Sequence, residues 1–580
     1  MAVFTSHIPT RRFGLIDILV IAFVFALLFS VLHLGAGMII PFSPENQIEI
    51  STDPADLPYY AGRSLLRMFI AYGASLLFTL IYGSIAAKSR TAEKVLIPLL
   101  DILQSVPVLG FLSVTITMFM GLFPNSLLGV ELAAIFAIFT GQCWNMTFSF
   151  YHSLTTLPQD LNEAAAVLRL NWWQRFIRLE VPFAMIGLVW NSMMSFGGGW
   201  FFLAASEAIT VLNESIRLPG VGSFMAAAVE EGNMPAVGYA ILTMIVMIVL
   251  VDQLFWRPIV VWSQKFKMER TEAIEVPTSF VYAILQRAVF VTWMQKYFFR
   301  PVAKAVYGAF NLGARVTGHT AAQLESITPL SYLTAAIKWV LFSVILYYVS
   351  QQAYQGCRMI ASVGLDTLVE IITFGFYTLG RVMAASLIGV LWTVPVGVLI
   401  GTSPRLSKFF QPIVQVAASF PANMIYPFVA VFYLKHSVNF ELGSIPLMML
   451  GTQWYILFNV IAGAMAIPND LKEAATVFKL SGWQKWRKLI LPAIFPYLIT
   501  GCITASGGAW NASIVSELVT WKEDQLNATG LGNFISQVTA AGDWPGIIGG
   551  IAVMCAFVVI INRLFWRRLY QLAETKYHLN

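Results

Sequence analysis

The sequence predicts an all-α polytopic membrane protein with about twelve transmembrane helices in two parallel six-helix repeats. Three observations indicate this fold class: a low content of charge, apolar runs of membrane-spanning length, and an internal duplication. Of the 580 residues, 58% are hydrophobic and 11% are charged, whereas soluble domains carry roughly 25% charged residues. The composition therefore favours a chain that lies mostly within a membrane.

The apolar runs define the predicted spans. A bilayer core requires roughly 20 helical residues, and the first run is too long to be the apolar part of a cleavable signal peptide. We predict spans at about 16–40, 66–87, 98–121, 127–151, 182–206 and 236–256 in the first repeat. Those of the second repeat are predicted at about 332–351, 380–401, 412–433, 444–466, 492–516 and 545–565.

The two halves of the chain align without gaps over a long stretch. A shift of 310 residues places Gly141 on Gly451, and a shift of 314 further upstream places Arg67 on Arg381. Between residues 158 and 182, 12 of 25 positions are identical to their counterparts. Such a repeat implies two similar halves around a pseudo-twofold axis.

The distribution of charge predicts the orientation, because cytoplasmic loops collect Lys and Arg. Arg11 and Arg12 precede the first span, whereas the loop 41–62 carries four acidic residues and no basic one. Both termini are then cytoplasmic. Since six spans return the chain to the same side, the repeats have parallel orientation.

These boundaries divide the chain into five parts. They are the N-terminal span and its external loop (1–63), the first repeat (64–256), a linker (257–330), an extra span (331–377), and the second repeat with a short tail (378–580). The linker holds nine basic and four acidic residues. We expect its apolar part, 280–299, to be an amphipathic helix on the inner membrane face; a solvated cytoplasmic helix is the alternative.

A matched motif occupies the loop between the fourth and fifth predicted spans. It reads PQDLNEAA from Pro158 and PNDLKEAA from Pro468. The Asp can cap a helix while the Glu three residues later reaches back to the backbone, and the alanines leave a flat face for close contact. A capped surface helix without function would explain one copy, but two copies in equivalent cytoplasmic loops favour a functional role.

This loop resembles the Glu-Ala-Ala loop of binding-protein-dependent ABC importer permeases. In that family an aromatic residue follows the Glu by thirteen positions and a Pro by nineteen, as Phe176 and Pro182 do here, and likewise Trp486 and Pro492. The Gly expected six positions after the Glu is replaced by Arg169 and Lys479, so a tight turn there must use a residue with a Cβ. The resemblance covers residues 64–256 and 378–566.

The resemblance implies that each loop forms a coupling helix that docks on a separate ATPase subunit. No GxxxxGK[ST] motif occurs in this chain, so ATP and Mg would be bound by two partner ATPase subunits and no cofactor by this chain. It also implies a periplasmic or lipid-anchored solute-binding protein and a location in the bacterial cytoplasmic membrane. The modest net charge of +6 indicates no nucleic-acid partner. The predicted coupling residues are Asp160, Glu163, Ala164, Ala165, Arg169, Asp470, Glu473, Ala474, Ala475 and Lys479.

The fifth spans, 182–206 and 492–516, are predicted to face each other and line the translocation path. They carry polar groups that are costly against lipid, and each ends in a matched Trp and Glu that would narrow the outer exit. Close packing by the glycines and an ordinary interfacial carboxylate are the alternatives. The candidate path residues are Asn191, Ser192, Ser195, Gly198, Trp200, Glu207, Thr504, Ser506, Gly508, Trp510, Asn511 and Glu517.

The Gly-rich segment followed by Trp and Ser-Glu resembles the nitrate, sulfonate, taurine and bicarbonate branch of these permeases, which implies a small anion as solute. Permeases for ferric iron or thiamine, a twelve-helix secondary transporter and a scaffold subunit are the alternatives. We find no catalytic constellation and no metal-spaced cysteines or histidines. The chain is therefore expected to be a transport subunit and not an enzyme.

Overall fold

The computed structural model describes residues 13–42, 48–211, 214–266, 278–312 and 328–576. The part before the linker contains helices α1 (Leu15–Ala36), α2 (Leu57–Lys88), α3 (Arg90–Ser105), α4 (Leu112–Leu122), α5 (Leu127–Thr155), α6 (Gln159–Val167), α7 (Trp172–Arg175), α8 (Val181–Glu207), α9 (Val221–Glu231), α10 (Met234–Val251) and α11 (Arg257–Ser263), with strands β1 (Ala208–Val211) and β2 (Glu214–Arg217). The linker contains α12 (Phe280–Arg287), α13 (Val289–Met294) and α14 (300–312).

The second part repeats this order of elements. It contains α15 (Thr328–Ser362), α16 (Leu365–Thr402), α17 (Pro404–Ser419), α18 (Tyr426–His436), α19 (Phe440–Met465), α20 (Asn469–Val477), α21 (Gly482–Lys485), α22 (Leu491–Ser516), α23 (Leu531–Ala541), α24 (Trp544–Ile561) and α25 (Arg567–Lys576), with strands β3 (Leu518–Trp521) and β4 (Asp524–Asn527). Within each repeat the central packing is alike: α5 lies between α2 and α8, and α19 lies between α16 and α22.

The fold class is confirmed as all-α and polytopic. In the described ranges nine helices are long and apolar enough to cross a membrane, or ten if the bent pair α17–α18 is one span. The third predicted span of each repeat is not a straight helix: 98–121 is divided between α3 and α4, and α17 and α18 meet at 80°. The predicted span 332–351 lies within α15, which is not among the nine.

Two prolines explain these breaks. Val106 and Phe420 are extended (φ −75°, ψ 124° and φ −72°, ψ 128°), and Pro107 and Pro421 follow them. A proline clashes with a helical conformation of the preceding residue and lacks the N–H that would continue the hydrogen bonds. Each break leaves a short 3-10 turn, Val108–Phe111 and Ala422–Ile425, at the contact between the repeats.

The repeats share their cores. One apolar cluster joins Phe196 and Trp200 of α8 to Met424 and Tyr426 of the second repeat. A polar contact accompanies it, because the Val108 amide donates a hydrogen bond to Asn511 Oδ1 at 2.7 Å. The two halves are therefore packed directly on each other.

The linker differs from the single amphipathic helix predicted over 280–299. It breaks at Ala288, which is extended, and a second helix starts at Val289. The side chain of Asp17 in α1 accepts a hydrogen bond from the Phe290 amide at 2.7 Å, so α1 caps this second helix. From there the helix continues through a π turn, Gln295–Phe299, into α14.

Candidate functional site

A buried network of charges joins α2, α5 and α8 of the first repeat. Arg67 Nη1 lies 2.7 Å from Glu207 Oε1, and its Nε lies 2.5 Å from Glu131 Oε2. Arg63 makes a further ion pair with Glu131. All four side chains are fully buried, so two arginines balance two glutamates where water is excluded.

The same network fixes the start of α9. Glu207 Oε2 accepts a hydrogen bond from the Gly222 amide at 2.7 Å. Ser64 Oγ donates to Glu207 and accepts from the Val221 amide at 3.0 Å. A carboxylate is favourable at a helix N-terminus, and a Cβ at Gly220 would overlap it, which explains the glycine there.

The second repeat builds the same arrangement with one arginine fewer. Arg381 Nη1 lies 3.0 Å from Glu517 Oε1, and Arg381 also pairs with Glu441. The Gly532 amide donates to Glu517 Oε2 at 2.8 Å. At the position of Arg63 the second repeat has Tyr377. Its network therefore holds one cation for two carboxylates, and the Glu441 side chain is 44% exposed, where water can stabilise its charge.

These networks correct the prediction that matched Trp and Glu residues narrow an outer exit. Glu207 and Glu517 are fully buried within their own repeats, and Trp200 and Trp510 are only 1% exposed. Sequence reasoning missed their partners Arg67, Glu131, Arg381 and Glu441. The duplication gave a signal for them, since ionisable residues at matched positions of apolar spans require partners.

Two β-hairpins follow these glutamates and cross between the repeats. Val519 and Trp521 of the second hairpin pack into one apolar cluster with Phe224 of α9. Ile216 of the first hairpin packs into another cluster with Ile535 of α23. Each hairpin thus contacts the short helix of the opposite repeat, and we call this end of the molecule the hairpin end.

A second crossing contact lies at the tip of hairpin β3–β4. Gly232 ends α9 with φ +67°, and a Cβ there would overlap the side chain of Lys522. A lysine beside a helix C-terminus is favoured by the helix dipole. The contact links the second repeat to the first at the hairpin end.

The two fifth spans approach a common tyrosine. A Cβ at Gly198 of α8 would lie 3.2 Å from Tyr455 Oη, and one at Gly508 of α22 would lie 3.4 Å from Tyr455 Cε2. Tyr455 belongs to α19 and was not identified from the sequence. These glycines therefore leave space for an aromatic ring between the halves.

The polar side chains that were predicted to line the path differ in burial and in their hydrogen-bond partners. Ser192, Ser195 and Ser506 are buried, and the Ser195 hydroxyl has no hydrogen-bond partner among the described residues. Asn191 Nδ2 donates to Ser149 Oγ at 2.9 Å, inside the first repeat. Thr504 donates to a carbonyl of its own helix. Their role in translocation stays a prediction.

The matched loops form the expected short helices, α6 and α20, but not by the predicted capping. Each helix begins after a proline N-cap, Pro158 or Pro468, without a side-chain cap bond. The aspartates therefore lie inside the first turn, where they still face the helix dipole. The tight turn at the missing glycine is confirmed: Arg169 (φ +47°) and Lys479 (φ +53°) are left-handed, a conformation that costs roughly 1–2 kcal/mol in a residue with a Cβ.

Burial separates the residues that can contact a partner from those that cannot. Asp160, Glu163 and Ala164 are exposed; Asp470, Glu473 and the half-buried Ala474 lie correspondingly on α20. The assignment of Ala165 and Ala475 as partner contacts is corrected, because both are buried against their own repeat. Four large apolar side chains were missed: Val167, Leu168, Val477 and Phe478 are between 70% and 82% exposed.

A single rod connects each loop to its charge network. From Trp172 to Glu207 the chain forms one helical stretch of 36 residues, with a π turn at Phe176–Glu180. The equivalent stretch Gly482–Ser516 has 35 residues. At 1.5 Å per residue such a rod is roughly 54 Å long. Each rod therefore joins its loop to the hairpin end.

The first rod is braced at its loop end. Glu180 is paired with Arg175 at 3.0 Å and with Lys88 of α2 at 2.8 Å. Arg175 also donates to Asn162 of α6 at 2.7 Å. Among the described residues, no group of three or more His, Cys, Asp or Glu side chains is placed to hold a metal ion.

Comparisons with known proteins identify the family to which the chain belongs. The family described as "Binding-protein-dependent transport system inner membrane component" matches residues 79–255 and 393–578. The chain is 28% identical over 187 residues to the nitrate import permease protein NrtB of Leptolyngbya laminosa, covering 32% of this chain and 63% of that protein. It is 28% identical over 181 residues to the bicarbonate transport system permease protein CmpB of Synechocystis sp., covering 30% and 61%.

A third relative is the putative aliphatic sulfonates transport permease protein SsuC of Bacillus subtilis, 26% identical over 185 residues, covering 30% of this chain and 63% of that protein. In these alignments the chain spans less than two thirds of the length of each curated relative.

Proposed function

Because the chain belongs to the family of binding-protein-dependent transport system inner membrane components, we propose that it is the fused permease of an ABC importer. Its two repeats form one path for a small solute. Two separate ATPase subunits, which bind ATP and Mg, dock on α6 and α20. A solute-binding protein delivers the solute at the hairpin end.

One observation carries this proposal. Each coupling helix exposes acidic and apolar side chains, Glu163 with Val167 and Glu473 with Val477, and each stands at the end of a rod that reaches a hairpin. An ATP-driven gate requires a surface that recognises the ATPase. It also requires a rigid element that transmits the movement of that surface to the hairpin end. Exposed apolar side chains at matched positions of both loops are typical of a surface that binds a partner.

The proposed solute is a small anion of the nitrate, bicarbonate, sulfonate or taurine class, in keeping with the names of the relatives. Neither α8 nor α22 contains Lys or Arg. The anion would be held by neutral donors such as the hydroxyls of Ser195, Ser506 and Tyr455. Binding by neutral donors is weak enough to allow release.

Charge reversal of both coupling helices tests the proposal. Glu163→Arg with Glu473→Arg should abolish solute uptake, because both substitutions reverse the charge of an exposed docking face. The protein should still reach the membrane, since neither side chain is buried. Uptake and the amount of co-purified ATPase are measured together. Reversal of the exposed Arg90 to Glu, outside the loops, is the matched control; normal uptake and ATPase binding in the double variant would contradict the coupling role.

The proposed orientation places both termini and α6 and α20 in the cytoplasm. Ser51, in the acidic loop before α2, is exposed. With the exposed Cys357 replaced by Ser, Ser51→Cys should react with a membrane-impermeant maleimide in intact cells. Thr476→Cys, on the exposed surface of α20, should react only after lysis. The reverse pattern would overturn the orientation.

A further inference from the structure

The linker packs against the first coupling loop. Asn311 Oδ1 in α14 accepts hydrogen bonds from Asn171 Nδ2 at 2.7 Å and from Gln174 Nε2 at 3.3 Å. The rings of Trp173 and Phe310 are stacked, with centroids 4.5 Å apart. These contacts cover α7, the short helix that follows the coupling helix α6 and begins the rod.

A third contact places one whole face of α14 on this loop. The Arg178 guanidinium lies over the Tyr307 ring, 5.8 Å from its centroid. Positions 307, 310 and 311 are spaced by three and four residues and so lie on one face of a helix. Polar, stacking and cation–π contacts along a single face indicate a specific docking of the linker rather than chance proximity.

The second coupling loop is different at the matched positions. A shift of 310 places Trp173 on Trp483 and Asn171 on Ser481. Trp483 is 70% exposed, whereas Trp173 is half-buried under Phe310. An exposed indole of this kind is typical of an unoccupied interface, where Trp is enriched.

The two loops also differ in charge. The segment 159–182 contains three basic and three acidic residues, whereas 469–492 contains five basic and two acidic residues. Lys485, Arg487 and Lys488 of the second segment are exposed. Such a cluster attracts an acidic surface and makes its association dependent on salt.

Building on the proposed importer function, we propose that the two ATPase-docking sites are inequivalent. The first is a composite surface in which α14 is a fixed part of the coupling loop. The second is a bare basic loop whose exposed Trp483 inserts into an apolar pocket of an ATPase with an acidic rim. The linker therefore makes the two ATPase-docking sites of a pseudo-symmetric permease different from each other.

Cross-linking in the full-length chain tests the composite site without any partner. In a Cys357→Ser background, Asn171→Cys with Asn311→Cys should be joined by a short bifunctional thiol reagent. The matched pair Ser481→Cys with Asn311→Cys should not react. If α14 is a fixed part of the site, the cross-linked protein keeps its ATPase and its uptake. Absence of the first cross-link, or loss of ATPase binding once it has formed, would overturn the composite site.

The second site is tested in nanodiscs with the ATPase that co-purifies with the chain. Trp483→Ala should reduce the bound ATPase from two copies to one, and replacement of Lys485, Arg487 and Lys488 by Gln should remove the salt dependence of the second copy. Gln484→Cys should react freely with a membrane-impermeant maleimide when no ATPase is bound. With ATPase bound the reaction should be about tenfold slower, as expected if the contact is open for about a tenth of the time. Protection of this cysteine without ATPase would show contact with lipid headgroups and contradict the docking site.

These outcomes separate the inference from the function on which it rests. If no ATPase co-purifies with the unmodified chain, the importer proposal fails, while the cross-link still reports the linker contact. If two copies remain bound to Trp483→Ala at every salt concentration, the importer proposal stands and the inequivalence is wrong.

Discussion

Replacement of Arg67 by Met is expected to destabilise the protein by about 3–5 kcal/mol, the cost of breaking a buried ion pair by removing one partner. Glu207 has no other arginine within the described network, and it is fully buried. Because the Gly222 amide of α9 also donates to this carboxylate, the hairpin end should loosen as well. The measurement is the thermal unfolding midpoint in detergent, together with the amount of protein in the membrane.

The chain itself supplies a control. Arg63→Tyr introduces the residue that the second repeat has at this position, Tyr377. Unlike Glu441, which is 44% exposed, Glu131 stays fully buried. Glu131 nevertheless keeps both of its contacts to Arg67, and Glu207 keeps its own, so neither carboxylate loses its last arginine. The loss of stability in Arg63→Tyr should therefore be clearly smaller. Adding Glu207→Gln to Arg67→Met should recover part of the loss, because the uncompensated charge is removed. Equal destabilisation by Arg67→Met and Arg63→Tyr, or no recovery in the double variant, would contradict this account of the network.

The sequence predicted the duplicated helical architecture because the repeat and the apolar runs are properties of the chain alone. The family resemblance implied a tight turn at Arg169 and Lys479, and the structure shows that both residues adopt the left-handed conformation there. The prediction from the sequence failed for the third spans because the effect of Pro107 and Pro421 depends on which segments pack beside them. A proline inside an apolar run can kink a helix or end it.

The buried networks could not be predicted for a related reason. Arg67 and Glu131 lie 64 positions apart, and only the packing of α2 on α5 brings them together. Glu207 was identified as an ionisable residue near a span, and the choice between an exit residue and an internal partner required the positions of the surrounding helices. The same holds for Tyr455, whose ring lies where Gly198 and Gly508 leave room.

Each rod is connected to a hairpin that contacts the opposite repeat. Glu207 and Glu517 end the two long helices, and the first hydrogen bonds of the following segments are made to these residues. Each hairpin is then carried by one rod but packed on the short helix of the other repeat. In the proposed importer the solute enters at this end, and the apolar contacts of each hairpin with the opposite repeat would then have to separate.

A covalent bond between the repeats at the hairpin end should therefore abolish uptake. Gly232→Cys with Lys522→Cys places two thiols across the contact between α9 and the second hairpin, after Cys357 is replaced by Ser. A short thiol cross-linker should stop uptake completely, and reduction should restore it, because the cross-linked hairpin can no longer separate from the opposite repeat. Either single variant should transport normally after the same treatment. Gly232→Cys should lower the stability by roughly 1–2 kcal/mol, because a residue with a Cβ is strained at this left-handed position. A cross-link within one repeat, between Arg217→Cys and Glu230→Cys, which form an ion pair, should leave uptake intact. Full transport by the protein cross-linked between residues 232 and 522 would show that solute enters without separation of the hairpins, and the hairpins would then have a structural role only.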